Sequence, residues 1–255
     1  MLSVDRLNSI KQILAKEHSV TVAELSKAFN VSSETIRRDL DKLSAEDSMI
    51  LRVHGGAYRV TADNDPPYTF RQSSKVDEKL RIANACMSMV DNGDFMFLDS
   101  STTTLYLSKQ IAKSSLRLTV ITNSLGVVNE LCSNENISIV CVGGRYTRDT
   151  HSFVGTSTLD ELSNLFAAKA FVSCSGIDLG FGLTHNSDNE AAVRKIMLSN
   201  AKTRCLLIDA NKFGRCKMHK IIGLENVDVV FTNEEPGFEW RELFERYHIK
   251  LIVCE

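Results

Sequence analysis

Residues 21–57 constrain this chain more than any other stretch: they read as a capped helix, a tight turn, a second helix with a cationic face and a glycine hairpin. Thr21 and Glu24 stand three apart ahead of an apolar-periodic run, so Thr21 can cap the helix while Glu24 bonds back to it. Leu25, Ala28 and Phe29 then make one apolar face. Asn30-Val31-Ser32 breaks that helix, and Ser32 or Ser33 can cap the next. In the second helix Ile36, Leu40 and Leu43 recur at i, i+4, i+7 and must face inward. Thr35, Arg38 and Lys42 recur on the opposite side, with Arg37 beside them. A polar, cationic stripe on the second helix of a helix-turn-helix suits base edges and phosphates in a major groove.

Residues 50–60 alternate loosely and are split by Gly55-Gly56, a pair able to adopt the positive φ of a two-residue hairpin. Arg52, His54 and Arg59 flank the turn, which makes it a wing suited to the phosphate backbone. A solvated charged face on a small helical subdomain is the blander reading. Cap, turn, helix and basic hairpin falling in register argue against it.

Bulk charge does not advertise nucleic acid. The 255 residues carry a formal charge of -2, and the first 60 hold nine Lys/Arg against eight Asp/Glu, a balance of +1. DNA binding therefore rests on where the cations sit. With so few of them, affinity is expected to come from a homo-oligomer, a dimer or a tetramer. The seven cysteines are scattered singly without a CxxC, which points to a reducing compartment. The first residues lack a signal peptide's apolar core, and no apolar run approaches the ~20 residues of a membrane helix. A cytoplasmic protein without a membrane partner is expected. The six histidines show no metal-ligand spacing, so no metal and no cofactor are expected.

An opening helix near residues 4–16 buries Leu7, Ile10, Ile13 and Leu14, completing a three-helix unit over residues 1–60. Residues 61–74 are polar, hold two of the three prolines and show no helical period; they read as a linker. Residues 75–255 alternate short, continuous apolar runs with amphipathic ones. Strands are expected at 95–99, 118–122, 137–142, 170–173, 205–209, 227–231 and 249–254. Helices are expected at 77–90, 104–112, 125–132, 159–166 and 189–201. The fold class is α/β: a mostly parallel sheet covered on both faces, behind an N-terminal winged helix-turn-helix.

In such sheets ligands lie beyond the carboxyl ends of the strands. One strand runs into Asp99-Ser100-Ser101-Thr102-Thr103-Thr104 and a helix, where hydroxyls, backbone N–H groups and the dipole suit a phosphate. Others end in Thr122-Asn123-Ser124, in Gly143-Gly144-Arg145, in Ser175-Gly176-Ile177-Asp178, and in Asp209-Ala210-Asn211-Lys212-Phe213-Gly214. Each loop alone is weak evidence, since Ser or Thr at such a junction is most often an N-cap. Their convergence on one edge is the stronger argument.

The chain resembles the DeoR-type transcriptional regulators, whose winged helix-turn-helix ends in an RVHGGA-like wing, here Arg52-Val53-His54-Gly55-Gly56-Ala57 behind Ser33-Glu34-Thr35-Ile36-Arg37-Arg38-Asp39-Leu40. One departure is that Asp47-Ser48-Met49 fills a stretch where the family usually places a glycine. The resemblance continues in Asp99-Ser100-Ser101-Thr102-Thr103, Thr122-Asn123, Gly143-Gly144, Gly182-Leu183-Thr184, Glu190-Ala191-Ala192-Val193-Arg194 and Asp209 to Gly214, with Asn211 where serine is usual. It implies a C-terminal domain similar in fold to ribose-5-phosphate isomerase, glucosamine-6-phosphate deaminase and CoA transferases. It also implies a phosphorylated sugar effector held by the hydroxyl loop and Lys212. The expectation is a repressor of a carbohydrate operon that contacts double-stranded operator DNA through Ser32, Ser33, Thr35, Arg37, Arg38, Lys42, Arg52, His54, Gly55 and Gly56. The effector is expected at Asp99, Ser100, Ser101, Thr102, Thr103, Thr122, Asn123, Gly143, Gly144 and Lys212. The rival reading is a sugar-phosphate isomerase or deaminase with an appended DNA-binding domain. Such chemistry needs a positioned general base, and no acid/base pair can be assigned from the sequence.

Overall fold

A computed structural model describes residues 2–47, 49–53, 55–59 and 65–254. They form two units, Met1–Ser74 and Lys75–Glu255.

In the first unit α1 (Ser3–Glu17) is followed by β1 (Ser19–Thr21), α2 (Val22–Phe29), α3 (Ser33–Glu46), β2 (Ile50–Val53), β3 (Gly56–Arg59) and α4 (Tyr68–Ser73). Thr21 and Glu24 make the full capping box at the start of α2, and Ser32 caps α3. Leu7, Ile10 and Leu14 of α1 pack with Leu25, Ile36, Leu40 and Leu43 in one core, while Ile13 is only partly buried. Behind α3, Arg6 and Asp39 form a buried two-point ion pair at 2.5 and 3.2 Å that ties α1 to α3. The three strands pair antiparallel in the order β1-β3-β2.

Two expectations change here. Val53 pairs with Gly56, so Gly56 is the first residue of β3 rather than part of the turn. Gly55 supplies the positive φ, 93°, whereas Gly56 is required because a Cβ there would overlap the Val20 carbonyl oxygen of β1. In place of a linker throughout 61–74, Tyr68–Ser73 is helical, Tyr68 is buried, and Phe70 packs on Tyr58 with ring centroids 6.0 Å apart. Six residues are too few for a helical period to show in sequence; residues 60–64 lie outside the described residues. Between α3 and the wing Asp47 accepts from two N–H groups, its Oδ1 from Met49 N and its carbonyl from Ile50 N, both at 2.9 Å.

The second unit is built on seven parallel strands: β4 (Phe95–Leu98), β5 (Leu118–Thr122), β6 (Ile137–Cys141), β9 (Ala167–Val172), β12 (Ala201–Ile208), β14 (Val229–Thr232) and β15 (Lys250–Val253). Their residues alternate between two cores, as a sheet covered on both faces requires. Met96, Leu98, Val120, Phe171 and Phe231 pack with Ile82 of α5 (Val76–Cys86), Leu107 of α6 (Thr102–Ala112) and Leu131 of α7 (Leu125–Leu131). Phe97, Ile121, Ala170, Val172 and Val230 pack with Leu162 of α8 (Thr156–Ser163), Met197 of α9 (Asp188–Ser199) and Phe244 of α10 (Phe238–Arg246). The expected helices at 159–166 and 189–201 end earlier, at Ser163 and Ser199, because Ala167 and Ala201 already begin strands. Unforeseen are the hairpin β7 (Arg145–Thr147) with β8 (Ser152–Val154), and a small antiparallel sheet of β10 (Gly176–Asp178), β11 (Gly182–His185) and β13 (His219–Ile222).

The strand order is β15-β14-β12-β9-β4-β5-β6. From β4 the chain lays β5 and β6 to one side, then returns to place β9, β12, β14 and β15 on the other. The reversal lies between β4 and β9. A crevice is expected beyond the carboxyl ends of those two strands.

Candidate DNA-reading surface and effector site

On α3, Ile36, Asp39, Leu40 and Leu43 are buried, and Arg37, Arg38 and Lys42 are exposed on the other side with Thr35 half-buried. Glu34 lies 3.7 Å from Arg37 and 3.4 Å from Arg38, in pairs exposed enough to exchange readily for phosphate. Ser32 and Ser33 stand at the amino end of the helix; the Ser32 hydroxyl is 2.9 Å from that of Thr35, and Ser33 accepts from Ser26 at 3.3 Å. Arg52, expected at a phosphate, has two partners within the unit. Its Nε meets Asp41 Oδ1 of α3 at 2.6 Å and its Nη1 donates to the Gly56 carbonyl at 2.6 Å. It braces the wing against the recognition helix. His54 lies outside the described residues.

At the strand reversal of the second unit, Asp99 is fully buried and satisfied on both oxygens. Oδ1 accepts from Ser101 N (3.0 Å) and Thr104 Oγ1 (2.7 Å); Oδ2 accepts from Ser173 N (3.0 Å) and Arg194 Nε (2.7 Å). It therefore pins the loop after β4 to the loop after β9. Ser100 donates to Glu190 Oε2 at 2.7 Å and Ser101 caps α6. These three residues hold the loop together. Thr102 and Thr103 are the first two helical residues, so their N–H groups have no intrahelical acceptor, and their hydroxyls bond to nothing among the described residues. Both residues are buried, and theirs are the unpaired polar groups of the run among the described residues.

Arg194 sits at the centre of this arrangement, 3% exposed. It bonds Asp99, the Ser173 carbonyl (3.0 Å), Ser100 Oγ (3.2 Å) and the Glu190 carboxylate one turn earlier on α9. Burial pushes the Glu190 carboxyl up, but Arg194 and His185 outweigh it, with help from the Ser152 hydroxyl, and hold it at about 2. Burial opposes the charge on Arg194 as well, and Asp99 and Glu190 more than offset it, so the guanidinium stays charged. Ser152 of β8 donates to the other oxygen of Glu190, so one carboxylate links the β7–β8 hairpin to the loop after β4.

The remaining expected residues lie along the same edge. Thr122 Oγ1 is taken by Ser124 N at 3.0 Å. Asn123 Nδ2 donates to the Phe153 carbonyl at 2.9 Å, and its Oδ1 is sealed from solvent without a partner among the described residues. The Gly143 carbonyl accepts from Thr158 Oγ1 at 2.7 Å, and a Cβ on Gly144 would overlap that hydroxyl, so the packing of α8 requires a glycine there. Lys212 Nζ is 3.2 Å from Ser173 Oγ and 3.7 Å from Asp209 Oδ2. Through Ser173, whose N–H bonds Asp99, Lys212 is linked to the loop after β4. An open depression of about 470 Å³ at the amino ends of β5 and β6, lined by Arg117, Thr119, Glu135 and Ser138, lies at the opposite edge of the sheet.

Sequence reasoning quoted Glu190 and Arg194 but assigned them no role, and it passed over Ser152, Ser173 and Lys75. An opposite-charge pair at i, i+4 is usually a surface pair; the signal was Ala191, Val193 and Met197 around it, which bury that face of α9.

The description of the DeoR-like helix-turn-helix domain matches residues 6–62, and that of the DeoR C terminal sensor domain matches residues 74–234. The chain is 31% identical over 254 residues, 100% of each chain, to the glycerol-3-phosphate regulon repressor of Escherichia coli (strain K12). It is 31% identical over 250 residues, 95% of each chain, to the lactose phosphotransferase system repressor of Lactococcus lactis subsp. lactis. Among solved structures, ribose 5-phosphate isomerase A from Methanocaldococcus jannaschii is similar over 55% of each chain, with a TM-score of 0.40 and 20% identity. No helix of the described residues is long and apolar enough to cross a membrane. With one match on each structural unit and full-length relatives of the same organisation, the chain belongs to the DeoR family of DNA-binding transcriptional regulators.

Proposed function

We propose that the protein is a repressor of a carbohydrate-use operon in the cytoplasm, that it binds operator DNA as a homo-oligomer, and that a phosphorylated sugar at the β4–β9 crevice releases it. The observation carrying this reading is the crevice itself. Two free helix-start N–H groups and two free hydroxyls, at Thr102 and Thr103, share the edge with Lys212, a set suited to a dianionic phosphate. The unmet acceptor at Asn123 Oδ1 suits a hydroxyl of the same ligand. The names of the relatives support it: one represses a glycerol-3-phosphate regulon, the other a lactose phosphotransferase system. Ser32, Ser33, Thr35, Arg37, Arg38 and Lys42 are the proposed DNA contacts, with Arg52 acting through the wing it braces.

A binding protein fits the crevice better than an enzyme. Asp99 and Glu190 are buried there and Asp209 is half-buried, and each is held by a cation: Arg194 for the first two, Lys75 and Lys212 for the third. None is a free base for moving a proton on a sugar. Calorimetry with a panel of sugar phosphates tests the reading: one binds the wild type, and Lys212→Ala and Thr102→Val lose that binding. Equal affinity in all three proteins moves the site elsewhere, and no binding by any phosphorylated sugar ends the proposal.

A further inference from the structure

Lys75 is the first residue of the C-terminal unit and stands in the left-handed region, φ 49° and ψ 47°, at the N-cap of α5. N-caps are ordinarily extended. The left-handed region is disfavoured for a side chain without a short polar group to bond locally. Such a conformation persists where its surroundings hold it. Two contacts hold this one: Nζ meets Asp209 Oδ1 at 2.9 Å, and the carbonyl accepts from Lys79 N at 3.2 Å. Asp209 follows β12 at the crevice edge, and Lys212 lies 3.7 Å from its other oxygen. Burial pushes the Asp209 carboxyl up; Lys212 and Lys75 reverse this and hold it at about 2, a permanent anion at neutral pH. Two ammonium groups thus share one carboxylate, with one positive charge in excess.

We propose that Lys75 is a second cation of the effector site and the residue through which a bound phosphate acts on the junction between the two units. This rests on the crevice reading given above. A dianion reaching Lys212 meets Lys75 on the same carboxylate, offers it a stronger acceptor and repels Asp209. Lys75 then exchanges Asp209 for the phosphate. Its backbone adjoins Ser74, the C-cap of α4, whose N–H bonds the Phe70 carbonyl at 2.9 Å. The exchange removes the tether holding Lys75 in its left-handed conformation, and the last helix of the DNA-binding unit feels the change.

Hydrogen exchange on the full-length chain tests this without knowledge of the natural effector. The variants are Lys75→Met, Asp209→Asn and their double; asparagine keeps the acceptor that receives Asn211 N at 3.2 Å while losing the charge. Each single variant should speed exchange of amides 65–74 and leave those of β4 and β12 slow. The double variant should exchange no faster than the faster single, because both remove one shared interaction. Inorganic phosphate, against chloride at matched ionic strength, should speed the same amides in wild type and add nothing in Lys75→Met. Wild-type exchange at 65–74 in Lys75→Met, additive effects in the double, or faster exchange throughout the sheet overturns the proposal. Variants that behave as expected beside a wild type indifferent to phosphate overturn the effector site, and Lys75's place in it, leaving the tether alone.

Discussion

Arg38 on the recognition helix and Arg194 inside the C-terminal unit are the same side chain held in opposite ways. The Arg38 side chain is 80% exposed, with one partner, Glu34, at 3.4 Å. Arg194 is 3% exposed and reaches Asp99, Glu190, Ser100 and Ser173. The first arrangement keeps a cation hydrated and exchangeable, as a long polyanion requires, since much of that affinity comes from counterions released when phosphates replace them. The second fixes three chain segments to one another, the loop after β4, the loop after β9 and α9, at the carboxyl edge of the sheet. Arg6 with Asp39 shows that the N-terminal unit also buries a pair, on the inward side of α3, where it ties that helix to α1.

This contrast predicts the largest effect at Arg194. Arg194→Met leaves Asp99 and Glu190 buried without their cation and should cost about 3–5 kcal/mol of stability, by urea unfolding of the C-terminal unit. Arg38→Met should change stability by less than about 0.5 kcal/mol. Similar unfolding midpoints for the two variants would break the comparison.

Acid should separate the units next. Glu190 and Asp209 titrate at about 2 in the fold, below the ordinary ~4.3 and ~3.9 of the unfolded chain. Groups so lowered add stability above the unfolded pKa, and it is lost as the pH falls through the folded value. The C-terminal unit should therefore weaken steeply between about pH 5 and pH 2, and Glu190→Gln should flatten that slope. A slope unchanged in the variant would place the acid sensitivity elsewhere.

Arg38→Ala should weaken specific DNA binding by about 1–3 kcal/mol if it reads a base. Lys42→Ala should act evenly on all sequences and reduce the salt slope by roughly one unit if it meets a phosphate. Gel-shift titrations at several salt concentrations sharpen the comparison. Wild-type affinity and slope in both variants would remove α3 from the interface.

The recognition helix was legible because its signals are local: the Thr21–Glu24 box, the Ser32 cap, and a buried stripe of Ile36, Leu40 and Leu43 within one element. The parallel strands were legible as continuous apolar runs. What stayed hidden depends on partners far along the chain. Asp99 and Arg194 are 95 residues apart, and nothing local says that an Asp at a strand end will meet an Arg on a later helix. The bond from Arg52 to Asp41 could not be read locally because Asp41 lies on another element. The three-residue strands β7, β8 and β10 are too short for alternation to register. Gly56 read as a turn residue, yet it begins β3 and is glycine because the backbone of β1 lies against it.

Operator affinity measured against a phosphorylated sugar tests the central claim most directly. A duplex selected from a random pool by the wild-type protein should be titrated, with each member of a sugar-phosphate panel present and absent. One sugar phosphate should lower DNA affinity by about 5–150-fold, a coupling of about 1–3 kcal/mol, and the duplex should weaken binding of that sugar by the same factor. Lys212→Ala should bind the duplex without responding. If no phosphorylated sugar shifts the affinity of the wild type, or if Lys212→Ala responds as the wild type does, the account is contradicted.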